Sequence, residues 1–294
     1  MSAPAVALIV AAVAGLLVLA NLAEARPRLR ASTYGLCAAV VAASATYAGG
    51  APVGIAVGAT VVASMLPPVR ALVQHQLALL HRDSVLHGVV FSLALALGLL
   101  LLLVPLRAPG YGAPPGAAQA WTALVGLEIA MMMLAALGAG LFSRRDLAAT
   151  LRRLGLRALT PRTLLLAAGV GLGLVVLALL DGAVTALLHH TDLRFTVALL
   201  SLAGGFGSRL LAALLVTAGD EVLFRGALRP RLGNFSTSLL FVIVHNRPYL
   251  SWAAPGLFVF SMVLGRLWQR AGTSGTLLAR SVFSVIAPPL FGVA

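Results

Sequence analysis

Polar positions along this chain are too sparse for amphipathic periodicity to be its governing pattern. Apolar residues come in long runs punctuated by short clusters of Arg, Gly and Pro, as in 88–105 (GVVFSLALALGLLLLLVP), which carries no charge. A run of that length, without the alternation of a half-buried strand, predicts a helix that is apolar on all sides. Taken by run and punctuation, the chain predicts helices near 4–23, 33–49, 51–66, 88–105, 118–142, 163–188, 209–228, 237–253, 255–270 and 276–293. A bilayer core takes about 20 apolar residues per helical crossing. The expected fold is therefore all-α, a polytopic integral membrane bundle of about ten transmembrane elements. The third element and the last three are short enough to be tilted, broken or interfacial.

Composition points the same way. Hydrophobic residues make up 60% and charged residues 10% of the 294 positions, against roughly 45–50% and about 25% in soluble domains. Mean hydropathy is +1.01. The 21 basic residues are all Arg and face 8 acidic ones. In a water-soluble chain that excess would suit nucleic acid, but between apolar runs it marks cytoplasmic loops, and no nucleic-acid partner is expected. With the N-terminus outside, fifteen arginines from Arg26 to Arg270 fall inside and four (Arg107, Arg194, Arg209, Arg247) outside, leaving Arg225 and Arg280 within spans. This bias orients the bundle with both termini external; the expected location is a bacterial cytoplasmic membrane. The opening MSAPAVALIVAAVAGLLVLANLAEA ends on an AEA that resembles a cleavage site, yet lacks a basic leader, so it is read as a retained helix. The single Cys37 has no partner for an intramolecular disulfide and takes a small apolar role.

The longest charged stretch, 143–163 (SRRDLAATLRRLGLRALTPRT), opens like a capping box on Ser143 and Asp146 and places Leu147, Leu151 and Leu154 on one stripe. It predicts an amphipathic segment on the cytoplasmic surface and a boundary between an N-terminal group, 1–142, and a C-terminal group, 143–294. No internal repeat is detectable, which argues against a transporter of inverted halves. The Gly- and Pro-rich 106–117 reads as an external loop, as does the region of His189 and His190. His75, His81 and His87 are six apart and share no helical face. Gly169, Gly171 and Gly173 lie inside an apolar helix, where close helix packing explains them. There is no HExxH, and Gly272-Thr273-Ser274-Gly275 matches a rhomboid GxSG only by letter, since no histidine follows it; it is assigned to a cytoplasmic turn.

Ionisable groups inside a membrane are costly and mark function by default. Glu128 and Asp181 each lack a basic neighbour on their own helix, and suit a proton relay or an acid hydrogen-bonded between helices. In GDEVLFRG, Glu221 and Arg225 are four apart with the acid first, the favourable order for an intrahelical pair. Asp220 is left without a partner on its helix, and a carboxylate beside a neutralised one is what a water-activating base requires. The plainer alternative is an ion-pair staple for the bundle. His245 closes SLLFVIVH four residues after Phe241, on the same face, and is the only histidine in the last hundred residues.

DEVLFRG, then LLFVIVH, then PGLFVFSMVLGRLWQRAGTSGTLLARSVFSV resembles the CPBP family of intramembrane proteases, which includes the type II CAAX prenyl proteases and bacteriocin-processing or self-immunity proteins. The resemblance covers roughly 143–294. The family pattern is EExxxR, FxxxH and HxxxN on successive core helices. Phe241 and His245 match the second element; Asp220, Glu221 and Arg225 match the first with one acid shortened. In the third, Arg280 stands for histidine and Ser284 for asparagine. The resemblance implies hydrolysis of a membrane-embedded peptide or protein, with Asp220, Glu221, Arg225 and His245 catalytic and Phe241, Arg280 and Ser284 at a substrate site or degenerate third motif. It implies no cofactor; a divalent metal is disfavoured because Asp220 is one methylene shorter than glutamate and the missing histidine removes a possible ligand. Two rivals stand beside it. One is an inactive CPBP-fold scaffold binding membrane peptides or partner subunits, favoured by Arg280. The other is a proton-coupled transporter using Glu128 and Asp181. Arg280 cannot shed its proton to escape burial, so it should seek Asp220 or Glu221, or else snorkel to the cytoplasmic interface.

Overall fold

A computed structural model describes residues 3–69, 71–72, 84–103, 117–187, 206–245 and 254–290. It is all-helical, with no strand among the described residues. Helix α1 spans Ala3–Ala25, α2 Arg30–Gly49, α3 Ala51–Met65, α4 Val85–Leu103, α5 Ala117–Ala139, the short α6 Leu147–Arg153 and α7 Pro161–Leu187. Helix α8, Phe206–Asp220, continues into a π-helical segment, Glu221–Leu228, and then into α9, Arg229–His245; α10 is Ala254–Leu290. The loop expected at 106–117 lies almost wholly outside the described residues, and His75, His81, His189 and His190 lie outside them too.

Two helices, Ala7–Ala25 and Pro161–Ala183, are long and apolar enough to cross a membrane. Ala51–Met65, Val85–Leu101 and Leu124–Ala139 are shorter apolar helices. Only 22% of the second long span is buried; Leu165, Leu172, Val176 and Leu180 form one outward stripe, with Leu165 71% exposed. Apolar surface presented on that scale needs an apolar neighbour rather than water.

The first four helices share one core built on Leu16, Val41, Val57 and Val89. Asn21 ties α1 to α5 by donating to Leu17 O at 2.9 Å and Leu137 O at 3.0 Å. Helix α5, the last of the N-terminal group, packs against α8 and the π-helical segment and shares a cluster with Leu154 and Val222. Its last carbonyls are capped by arginines: Arg145 donates to Ala139 O at 2.6 Å and Arg231 to Gly138 O at 2.9 Å, cations where the helix dipole favours them.

Several expectations need correction. The capping box is absent: Asp146 itself caps α6, accepting from Ala149 N at 2.7 Å, while the Ser143 hydroxyl donates to Gly140 O. Of the leucine stripe only Leu154 is buried; Leu147 and Leu151 stay exposed. The chain does not turn at 229 but stays helical to Gly233, whose φ of 76° breaks α9. Gly272, at φ 68°, likewise breaks α10 into two limbs. That break is held by the turn that follows α6: Thr273 N donates to Gly155 O at 2.9 Å, the Thr273 hydroxyl donates to Leu154 O, and Arg157 N donates to the Ser274 hydroxyl at 2.9 Å. Ser274 is thus a structural acceptor at a helix break.

Among the three glycines of α7 only Gly171 is crowded, for a Cβ there would lie 2.5 Å from Ala279 O and 2.9 Å from Val282 Cβ, whereas Gly169 and Gly173 face open space. Because the obstacle is backbone, Gly171→Ala should separate α7 from α10 and cost about 1–3 kcal/mol. Thermal unfolding in detergent, with Gly173→Ala as the unaffected companion, measures it; equal effects at both positions would refute close packing at Gly171.

Candidate functional site

The acidic segment sits where α8 changes from α to π geometry. Arg229 N donates to Phe224 O, five residues back, which widens the turn. π-helical turns are uncommon and concentrate at functional sites. Asp220 and Glu221 flank this junction, and both are buried with Arg225.

Glu221 Oε1 lies 3.3 Å from Arg225 Nη1, and Arg225 Nη2 donates to the Ser261 hydroxyl of α10 at 3.0 Å. Asp220 Oδ2 is 2.9 Å from His245 Nε2. The other ring nitrogen, Nδ1, is 2.9 Å from Phe241 O; a carbonyl can only accept, so Nδ1 is the donor of that contact. Phe241 orders this side of the site. Its ring stacks on His245 at 4.0 Å and 23°, meets Phe224 edge-on at 5.1 Å, and lies 4.5 Å from the Arg225 guanidinium and 5.3 Å from that of Arg280, a cation–π arrangement on both counts.

Arg280 does not snorkel. It is buried and reaches across from the second limb of α10, with Nη2 2.5 Å from Asp220 Oδ2 and Nη1 3.2 Å from Glu221 Oε1. One guanidinium therefore bridges both carboxylates, and the same Asp220 oxygen serves His245 and Arg280. Ser284, one turn further along, pairs its hydroxyl with that of Thr217 at 3.2 Å, one turn before the acids on α8.

Three residues of this neighbourhood escape sequence reasoning about it. Ser261 and Thr217 are small hydroxyl residues inside apolar runs, without a spacing that singles them out. Glu128 is conspicuous in sequence as a membrane acid, but nothing there connects it with Asp220. In the fold α5 carries it to α8, where a Cβ on Gly219 would fall 1.8 Å from Glu128 Oε2. Only glycine permits this approach. Glu128 is 2% exposed, and its Oε2 has no hydrogen-bond partner among the described residues. Asp181 lies elsewhere, against Gly256 at the start of α10.

Chemically, the arrangement offers a carboxylate in contact with an imidazole, a second carboxylate, Glu221, two guanidiniums to neutralise negative charge, and a third carboxylate, Glu128, close by. Glu221 Oε2 is a further buried oxygen without a hydrogen-bond partner among the described residues. Among the described residues no group of three or more His, Cys, Asp or Glu side chains is placed to hold a metal ion. No family model matches the chain, and no curated protein and no solved structure matches it either.

Proposed function

We propose that this chain is a multi-pass membrane protein with a CPBP-type intramembrane peptidase core, its termini external and residues 143–162 on the cytoplasmic side. The observation that carries the reading is the Asp220–His245 contact, an acid and an imidazole from successive helices joined at 2.9 Å inside an apolar bundle. In the reaction, a water held at this pair gives a proton to Asp220 as its oxygen bonds to the scissile carbonyl carbon of a membrane-embedded peptide. The carbonyl becomes an oxyanion beside the guanidiniums. Collapse of the tetrahedral species breaks the C–N bond, and the proton passes to the leaving nitrogen. The test is cleavage of membrane peptides by the purified protein in vesicles, with Asp220→Asn and His245→Ala each expected to lower the rate about 10²- to 10⁴-fold. Cleavage that survives both changes would sink the assignment.

One observation favours a second reading. Arg280 occupies Asp220 Oδ2 at 2.5 Å, and a carboxylate engaged by a permanent cation and a histidine has few lone pairs left for water. On this reading the same fold binds a membrane peptide or partner subunit without cutting it.

A further inference from the structure

The face between α7 and the first limb of α10 carries an open groove with an uneven lining. Leu166 and Val170 of α7 and Phe258 and Met262 of α10 form its apolar walls, and Arg266 and Arg270 stand at one end. Its volume is about 420 Å³, within the roughly 300–1,000 Å³ usual for small-molecule sites. Phe258 and Arg270 lie on one uninterrupted helical limb, ending at Gly272. At 1.5 Å per residue the groove is about 18 Å long, comparable to one leaflet of a hydrocarbon core about 30 Å thick.

Among the described residues, the charge at its mouth is uncompensated. No acid among the described residues lines the groove, and Arg266 and Arg270 form no ion pair there. Both are exposed. Arg157 adds a third cation by donating to Arg270 O at 3.2 Å, and Arg229, stacked 4.4 Å over Trp268, is within electrostatic reach of Arg266. An apolar trough one leaflet deep, closed by exposed guanidiniums at the end assigned to the cytoplasm, matches a lipid with an acyl chain and an anionic head. We infer that this groove is a binding site for an anionic phospholipid, one chain lying along Leu166, Val170, Phe258 and Met262 and the phosphate held by Arg266 and Arg270. The inference rests on the membrane embedding of the proposed function and is independent of peptidase activity.

The protein would be reconstituted in equal parts phosphatidylcholine and phosphatidylglycerol, re-extracted in mild detergent, and its retained lipid measured by native mass spectrometry. Wild type should carry one phosphatidylglycerol. Arg266→Gln with Arg270→Gln should weaken retention about thirtyfold, the worth of two charges near a membrane surface. Arg152→Gln with Arg153→Gln, on α6, should leave it unchanged. Val170→Trp, filling the trough with both arginines present, should also expel the lipid, which separates chain recognition from headgroup attraction. Equal retention of phosphatidylcholine, release by soluble inorganic phosphate, the same loss in the α6 control, or a dimer mass without lipid would each overturn the inference. A chain recovered from cells without detergent would instead overturn the membrane reading, before any lipid is weighed.

Discussion

Arg225→Leu is expected to destabilise the bundle by about 3–5 kcal/mol, the range for breaking a buried pair from one side. The substitution keeps volume but removes the cation 3.3 Å from Glu221, the donor to Ser261 and the guanidinium over Phe241. Glu221 and Asp220 are then left with Arg280 as their one remaining guanidinium, a charge already divided between them. The informative comparison is Glu221→Leu with Arg225→Leu, which removes both charges and should recover much of the loss, because a buried pair repays little beyond its own desolvation. Thermal unfolding of the detergent-solubilised proteins gives both values. If the double variant costs the sum of the two single changes, Glu221 and Arg225 are not a coupled pair and the site's charge arrangement is wrong.

On the reading in which Arg280 keeps Asp220 from water, Arg280→His with Ser284→Asn is expected to raise peptidase activity by about 10²-fold or more, the usual contribution of a working general base. Arg280 places a permanent positive charge on the Asp220 oxygen that also faces His245. Histidine at 280 is shorter, can be neutral and can accept as well as donate, so it need not hold that oxygen. Asparagine at 284 would offer an amide where Ser284 now bonds Thr217. The measurement is single-turnover cleavage of a membrane peptide in vesicles, beside the Arg280→His single variant. A fall in activity would mean that Arg280 serves the oxyanion rather than blocking the base, and the reading in which Arg280 keeps Asp220 from water would be abandoned. Lost folding is separated from lost chemistry by the thermal midpoint of each variant.

The fold and the site were legible to different depths. Charge-free apolar runs identify helices because nothing but an internally hydrogen-bonded segment can bury so much backbone in apolar surroundings. Their interior ends were harder. Gly233 and Gly272 break helices because the chain adopts a left-handed φ there, yet Gly171 sits inside a helix, and nothing local distinguishes the two uses. Leu154 reads as one of a stripe with Leu147 and Leu151, but only Leu154 finds a seat, beside Gly226 and under Thr273.

Within the site, spacing alone determined the Glu221–Arg225 pair and the shared face of Phe241 and His245, since residues four apart on a helix are neighbours whatever surrounds them. Composition determined that Glu128, Asp220 and Arg280 are out of place in apolar runs. Tertiary structure decided what each does. It turned the widened π segment so that Asp220 meets His245 and Arg280, spread Arg280 over two acids, recruited the Ser261 hydroxyl, and brought Glu128 from α5 through the opening left by Gly219. Those contacts join positions at least 25 residues apart and on different helices, and a long-range contact depends on how whole helices pack; periodicity along one helix carries no information about which face of another will meet it.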